Sequence, residues 1–425
     1  MFLKNQSERC HTFSKFEKAL ASSEGEDFAL IDAAASDVVA EAEKYSLKGD
    51  IWEAFFALLL AEDENPLGWA SELSDTPPSD SIAGIASKEL WSLHGTIAAL
   101  RDRVRRDEKF RHLLSLEDYT PSEGGIPFLR PKSVRDETLS GLFSLSAAFK
   151  AAGTPEEMYD ALVMFYKSHG SGLYALNRAF RWSGENRLTP VKDLDSSLLA
   201  SLVGYEAQKK ELLDNTKFFL SGETANNVLL FGDSGTGKSS SVRALLNEPG
   251  FVRRGLRMIE VRRNQFADIQ DILEVVRFRN YRFVIFIDDL SFEEFETDYK
   301  HLKAVIEGGI EPKPKNAVIY ATSNRRNLVR EVWSDRKNSG DDVHGEDTRQ
   351  EKLSLADRFG LAIWYGSVGK KEYMEMVRAL AEESGLSVDG AELEKLAMRW
   401  ELEKGSFTGR TARQFVQRLL MENRS

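Results

Sequence analysis

Cysteine is almost missing: Cys10 is the only one in 425 residues. That excludes an internal disulfide and any multi-cysteine metal site. The six histidines are scattered, with no H-x-x-x-H or comparable ligand spacing. Long apolar runs are lacking too. The longest, around 55–61, falls far short of the ~20 residues that a membrane span needs. Residues 1–10 lack the basic-then-apolar order of a secretory signal. These absences lead to the expectation of a cytoplasmic protein with no membrane association. Positive charge is short in the first half: residues 1–200 carry 22 Lys/Arg against 32 Asp/Glu, and residues 201–425 carry 35 against 36, which together make the net charge of −11. An acidic first half repels a phosphate backbone over any large area, so nucleic acid is not favoured as its partner. At this length two or three domains are expected.

What is present is concentrated at 228–239, Val-Leu-Leu-Phe-Gly-Asp-Ser-Gly-Thr-Gly-Lys-Ser. Four apolar residues predict a short buried strand, and the spacing G-x-x-x-x-G-K-S follows it. Glycines at 232, 235 and 237 let the backbone take positive φ and turn several N–H groups toward one ligand. A helix starting near Gly237 adds the positive end of its dipole. Lys238 supplies a charge for β- and γ-phosphates and Ser239 a hydroxyl for Mg²⁺. The whole stretch of Gly232, Asp233, Ser234, Gly235, Thr236, Gly237, Lys238, Ser239 and Ser240 is therefore read as a nucleotide-phosphate site.

Before it, the first half reads as helical. Ile31, Val38, Val39, Ala42 and Tyr45 recur at three-to-four spacing, as do Trp52, Phe55, Phe56, Leu59 and Leu60. Pro77 and Pro78 interrupt as a loop, and a helix is expected over 87–111. Its run Arg101, Arg103, Arg105 and Arg106 reads as a solvated face among acids. Helical spacing returns at 136–151 and 155–169. The stretch 170–182 reads as a helix packing its aromatics, and 184–195 as a linker that Pro190 holds extended. Nothing in residues 1–195 carries recognisable chemistry.

After the phosphate loop, strands are expected at 256–261, 282–287, 317–322 and 361–365, with helices at 371–383, 390–403 and 409–423. The strand Arg-Phe-Val-Ile-Phe-Ile at 282–287 is apolar enough to be buried on both faces of a parallel sheet. Asp288 and Asp289 emerge at its C-terminal end, where such sheets bind ligands. Asp288 is expected to hold Mg²⁺ through its water shell, and Asp289 to orient and deprotonate an attacking water. Asn324, ending the strand at 317–322, offers an amide for that water and the γ-phosphate. Ahead of the phosphate loop, Leu202, Val203 and Gly204 can either wall an adenine ring or serve as a hydrophobic staple at a helix start. Arg410 and Arg413 lie three apart near the start of the last helix, on one face.

These motifs resemble, in order, those of the AAA+ ATPases over about residues 199–425: Leu-Val-Gly-Tyr, the phosphate loop, the Asp-Asp strand, the Asn324 strand end, Asp-Arg-Phe-Gly and Gly-Arg-Thr-Ala-Arg. Through Asp-Asp-Leu-Ser-Phe-Glu at 288–293 and Ala-Thr-Ser-Asn-Arg-Arg at 321–326, the chain resembles more closely a bacterial group catalogued only as a domain of unknown function. The resemblance implies a P-loop three-layer α/β/α core with a parallel sheet over 196–367 and a small C-terminal helical lid over 368–425. A separate all-helical N-terminal domain would cover 1–195. It also implies ATP and Mg²⁺ as ligands, Asn324 as first sensor and Arg410 as second, with Arg413 beside it. Arg358 would be an arginine finger reaching a neighbouring subunit, hence a homo-oligomeric ring or open spiral, often a hexamer. The Asn324 strand would lie between the strands bearing the Asp pair and the phosphate loop.

Two departures stand out. Asp289 occupies a place where the family usually has Glu, one methylene longer, so slow hydrolysis is expected. Residues 262–266, Arg-Arg-Asn-Gln-Phe, lack the aromatic-apolar-Gly loop of protein-threading members, which argues against an unfoldase with a pore. The resulting reading is an ATPase that drives assembly or remodelling of a protein partner met by the N-terminal domain. Two alternatives stay open. One is an ATP-gated DNA clamp or loader using Arg253, Arg254, Arg257, Arg262 and Arg263; the other is a small-molecule P-loop kinase.

Overall fold

Helices in the first half form where apolar spacing and caps agree. The computed structural model describes residues 2, 8–22, 27–73, 77–123, 136–185, 187–191, 193–290, 302, 306, 313–324 and 358–422. It divides into two units: Met1–Ala179 with Pro190–Leu194, and Phe180–Thr189 with Asp195–Ser425.

The first unit is helical: α1 (Glu8–Ala21), α2 (Asp27–Tyr45), α3 (Ile51–Glu62), α4 (Pro66–Leu73), α5 (Asp80–Arg106), a 3-10 stretch (Glu108–Asp118), α6 (Asp136–Ala151), α7 (Pro155–His169) and the short α8 (Leu173–Leu176). Helix α3 is the hub. Its residues from Ile51 to Ala61 are all buried, because α2, α5 and α6 pack around it. Phe16 meets Trp52 edge-on at 5.7 Å and Phe56 lies 5.5 Å from Phe149. Each such side chain stabilises the core by roughly 1.5–3 kcal/mol.

Two sequence expectations change here. Helix α5 starts seven residues earlier than its apolar spacing suggests, because the Ser79 hydroxyl accepts the Ile82 N–H and caps it. The arginine run is also not simply a solvated face. Arg101 turns inward to Asp50 at 2.9 Å and Glu53 at 2.8 Å, and Arg105 pairs with Glu117 at 2.7 Å. Glu53 is almost fully buried, and His94 Nε2 lies 3.0 Å from it. A carboxylate that deep needs such partners, and they come from elements far along the chain.

The second unit opens with β1 (Ala179–Trp182) and β2 (Leu188–Pro190). The helix expected over 170–182 is thus only one turn followed by a strand, and the expected linker at 184–195 holds a second strand. Alternation explains it: Phe180 and Trp182 are buried while Arg181 between them is exposed and pairs with Glu260 at 3.0 Å. The Ser183 N–H donates to the Arg187 carbonyl to close the hairpin. Pro190, with no N–H to give, ends the edge strand.

Then follow α9 (Glu206–Leu220), β3 (Asn227–Gly232), α10 (Lys238–Ala244), β4 (Leu256–Val261), α11 (Ile269–Val276), β5 (Arg282–Ile287), β6 (Ala317–Ser323), β7 (Gly360–Tyr365), α12 (Lys370–Glu383), α13 (Gly390–Lys404) and α14 (Gly409–Glu422). The sheet order is β2-β1-β4-β5-β6-β3-β7. The five strands from β4 to β7 run parallel, with Ile287 paired to Ala321, Phe231 to Ser323 and Gly232 to Tyr365. Strand β6 therefore sits between the Asp-bearing and the loop-bearing strands, as the resemblance implies. Parallel register also brings the C-terminal ends of β5, β6 and β3 to one edge. Helices α12 and α14 share a core of Tyr373, Val377, Phe415 and Val416, against which Val203 and Tyr205 pack.

Gly232 is where β3 and β7 meet most closely. Its φ is +132°, and a Cβ there would overlap the Tyr365 carbonyl. We expect Gly232→Ala to lower stability by about 1–3 kcal/mol, the cost of a strained backbone position, read as a shifted denaturant midpoint with unchanged slope.

Candidate nucleotide site

The phosphate loop is shaped by its neighbours before any ligand arrives. At its start the Asp233 N–H donates to the Tyr365 carbonyl at 2.9 Å, and farther on the Arg410 N–H donates to the Gly235 carbonyl at 3.1 Å. Gly235 and Gly237 take φ of +80° and +94°, which side-chain-bearing residues rarely adopt. Helix α10 begins at Lys238, so its unpaired N–H groups face the loop.

A cleft of about 520 Å³ runs from this loop to α12 and α14. Gly235, Thr236, Gly237, Lys238, Ser239 and Ser240 line one end, with Asp288, Asp289, Thr322 and Asn324 beside them. Leu202, Val203, Gly204, Met376 and Leu380 line the other, and Arg410, Arg413, Gln414 and Gln417 present one face of α14. Three residues expected to touch the nucleotide lie outside this wall. Gly232 is taken up by β7. Asp233 accepts the Ser367 N–H at 2.8 Å and the Ser367 hydroxyl. Ser234 accepts from Arg410 Nη1 at 3.3 Å.

The two carboxylates are held differently. Asp288 Oδ1 accepts both the Ser239 and the Thr322 hydroxyls at 2.6 Å, while Oδ2 accepts Arg243 Nη2 at 2.7 Å. Asp289 Oδ1 accepts Asn324 Nδ2 at 2.7 Å. Lys238 Nζ donates to the Gly232 and Asp233 carbonyls at 3.1 and 2.6 Å. Burial pulls the Lys238 ammonium down to about 8, although Asp233 and Asp289 favour its charge. A hydroxyl and a carboxylate in contact form a hard-oxygen donor pair, which suits Mg²⁺.

The sequence reading missed Thr322 and Arg243. Arg243 carried a signal: four residues after Ser239, it shares that residue's helix face. Thr322 carried none until β6 was placed beside β5.

Arg358 stands apart. It lies two residues before β7, whose first residue Gly360 pairs with Asn227 at the start of β3. The phosphate loop follows the other end of that six-residue strand, about 20 Å away at ~3.3 Å per residue. The arginines suggested for DNA do not form one patch. Arg257 is buried, donates to the Val252 and Leu256 carbonyls, and lies over the Tyr281 ring. Arg253 and Arg254 precede β4 while Arg262 and Arg263 follow it, so the strand's length separates them. Arg325, Arg326, Arg330, Asp357, most of residues 292–306 and residues 333–351 lie outside the described residues.

A family model described as protein of unknown function, DUF815, matches residues 175–423, more than half of the chain. The chain belongs to the DUF815 family. Its parallel strands, with β6 between β5 and β3, and its phosphate loop agree with the resemblance to the AAA+ ATPases. No curated protein matches the chain. Among solved structures it is similar to the Thermotoga maritima RuvB Holliday junction branch migration motor, at 20% identity over 52% of this chain and 63% of that one, with a TM-score of 0.36. It is also similar to the FIGL-1 AAA domain in complex with ADP, at 16% identity over 48% and 68%, TM-score 0.33. The chain thus spans under two thirds of the RuvB chain. Among the described residues, no helix is long and apolar enough to cross a membrane.

The depressed lysine gives this DUF815 site a pH signature. Below about pH 8 the Lys238 ammonium is charged and ready for phosphate. As pH rises through 8 the empty loop loses that proton, and a triphosphate must restore it on binding. Affinity for a fluorescent ATP analogue should therefore fall about tenfold between pH 7 and 9. A flat profile would show that Lys238 does not charge on binding.

Proposed function

We propose that this DUF815 chain binds ATP with Mg²⁺ and hydrolyses it to drive assembly or remodelling of a protein partner. The observation that carries this reading is the 2.6 Å bond between Ser239 Oγ and Asp288 Oδ1. It joins the start of α10 to the end of β5 within one cleft, beside Lys238 and Asp289.

In this reading the phosphate-loop N–H groups and Lys238 bind the β- and γ-phosphates. Ser239 and Asp288 would hold Mg²⁺, which would supply positive charge to offset that of the phosphates. Asp289 takes the proton of the attacking water, and Asn324, already bonded to its carboxylate, orients both. Val203 and Gly204, facing Met376, wall the base. Residues 368–425 act as a lid: Arg410, whose backbone and guanidinium both bond the phosphate loop, and Arg413 carry its motion to the phosphates. Arg243, which also has Glu260 at 3.5 Å as a second carboxylate, would free Asp288 to serve Mg²⁺. Arg358, at the far end of the sheet from its own loop, serves a neighbouring copy, which makes the working form a homo-oligomeric ring or spiral. Residues 1–195 form the partner-binding domain, and the setting is cytoplasmic.

Steady-state turnover and nucleotide binding test this. Lys238→Ala should abolish ATP binding. Asp289→Asn should keep affinity within a few fold while turnover drops at least ~100-fold. Arg358→Ala should bind ATP normally and lose ~10³-fold or more in rate. Mixing these last two variants should restore part of the activity at shared interfaces; no recovery at any ratio would remove the trans role. Solution mass should rise with a slowly hydrolysed ATP analogue.

A further inference from the structure

Asp289 is a non-glycine residue with left-handed backbone, φ +57°. Few L-residues take this region, Asp more readily than most, and neighbouring bonds favour it here. Among the described residues, the backbone bonds at this bend go to one residue of the neighbouring strand, Thr322. The Asp289 N–H donates to Thr322 Oγ1 at 3.0 Å, and the Leu290 N–H donates to the Thr322 carbonyl at 2.6 Å. The same hydroxyl spends its proton on Asp288 Oδ1 at 2.6 Å. Thr322 is almost fully buried, so water cannot easily replace these bonds.

We infer that Thr322 is the positioning residue of the site, its single hydroxyl setting Asp288 for the metal and Asp289 for the water. This rests on the ATPase reading above. The geometry is directional: a hydroxyl has one proton to donate and lone pairs to accept. Here the proton fixes one carboxylate, and a lone pair fixes the backbone bend that aims the other. The bend is what a short side chain requires. Asp289 reaches Asn324 Nδ2 at 2.7 Å because its Cα has been turned out of the line of β5 toward β6. With valine at 322 the shape is kept, but the Asp289 N–H and Asp288 Oδ1 each lose a partner, and the left-handed bend loses one of its two ties.

The test compares wild type, Thr322→Val and Thr322→Ser by thermal melting, by ATP affinity with Mg²⁺ and with EDTA, and by single-turnover hydrolysis. Thr322→Val should bind ATP in EDTA within about twofold of wild type. It should lose roughly tenfold of the affinity gained from Mg²⁺ and about 100-fold of the single-turnover rate, the scale of a ~1 Å misplacement. Thr322→Ser, which keeps the hydroxyl, should recover both to within a few fold. Unchanged Mg²⁺ gain and rate in Thr322→Val would overturn the inference. So would a Thr322→Ser variant as impaired as Thr322→Val at equal melting temperature, since the methyl group would then be what matters. If Thr322→Val does not fold, Thr322→Cys, a weak donor of similar size to serine, takes its place against Thr322→Ser. Wild type without turnover would defeat the hydrolysis reading, and the Mg²⁺ gain alone would then decide the role of Thr322.

Discussion

The site depends on one carboxylate being satisfied from three directions. Asp288 receives the Ser239 hydroxyl from the start of α10, the Thr322 hydroxyl from β6 and the Arg243 guanidinium from the next turn of α10. A partly buried carboxylate cannot be left unpaired at small cost, so these bonds fix the spacing between the phosphate loop and the strand ends beside it. Parallel pairing does the rest. Because β5, β6 and β3 run in one direction in tight register, every side chain just past a strand end arrives at the same edge. The cleft follows from register and not from any single motif.

Much of the second unit was legible in the sequence because β4, β5 and β6 are buried on both faces, whereas the edge strand β7 is half exposed. Apolar runs such as Phe283 to Ile287 leave no other reading, and the expected limits at 256–261 and 282–287 match β4 and β5. The place of β6 between β5 and β3 came from the family resemblance; nothing in the spacing alone sets which strand lies beside which. The hairpin of β1 and β2 was misread because its four- and three-residue strands are too short for period-2 alternation to stand out against helical spacing. What settles it is tertiary: Trp182 Nε1 donates to Asp268 at 2.9 Å and Arg181 pairs with Glu260, partners about 80 residues away.

The same limit applies to side-chain roles. Lys238 and Ser239 could be named from spacing because the phosphate loop that carries them is one continuous stretch of sequence. Arg101 could not be placed, because Asp50 and Glu53, which turn it inward, lie half a domain earlier. Thr322 is the sharper case. In sequence it is one more β-branched residue in a buried strand, and only the pairing of β6 with β5 puts its hydroxyl between the Asp288 carboxylate and the Asp289 N–H. A motif announces residues that meet a ligand; residues that hold other residues in place stay silent until neighbours in space are known.

The sheet that gathers the cleft also decides what it excludes. With Gly360 paired to Asn227, the chain just before β7 is fixed at the opposite edge from the phosphate loop, and no side-chain rotamer spans about 20 Å. Arg358 cannot be both a member of this fold and a ligand of the nucleotide bound by its own chain. If its charge takes part in hydrolysis, the reacting phosphate belongs to another copy, and the rate becomes a property of the assembly.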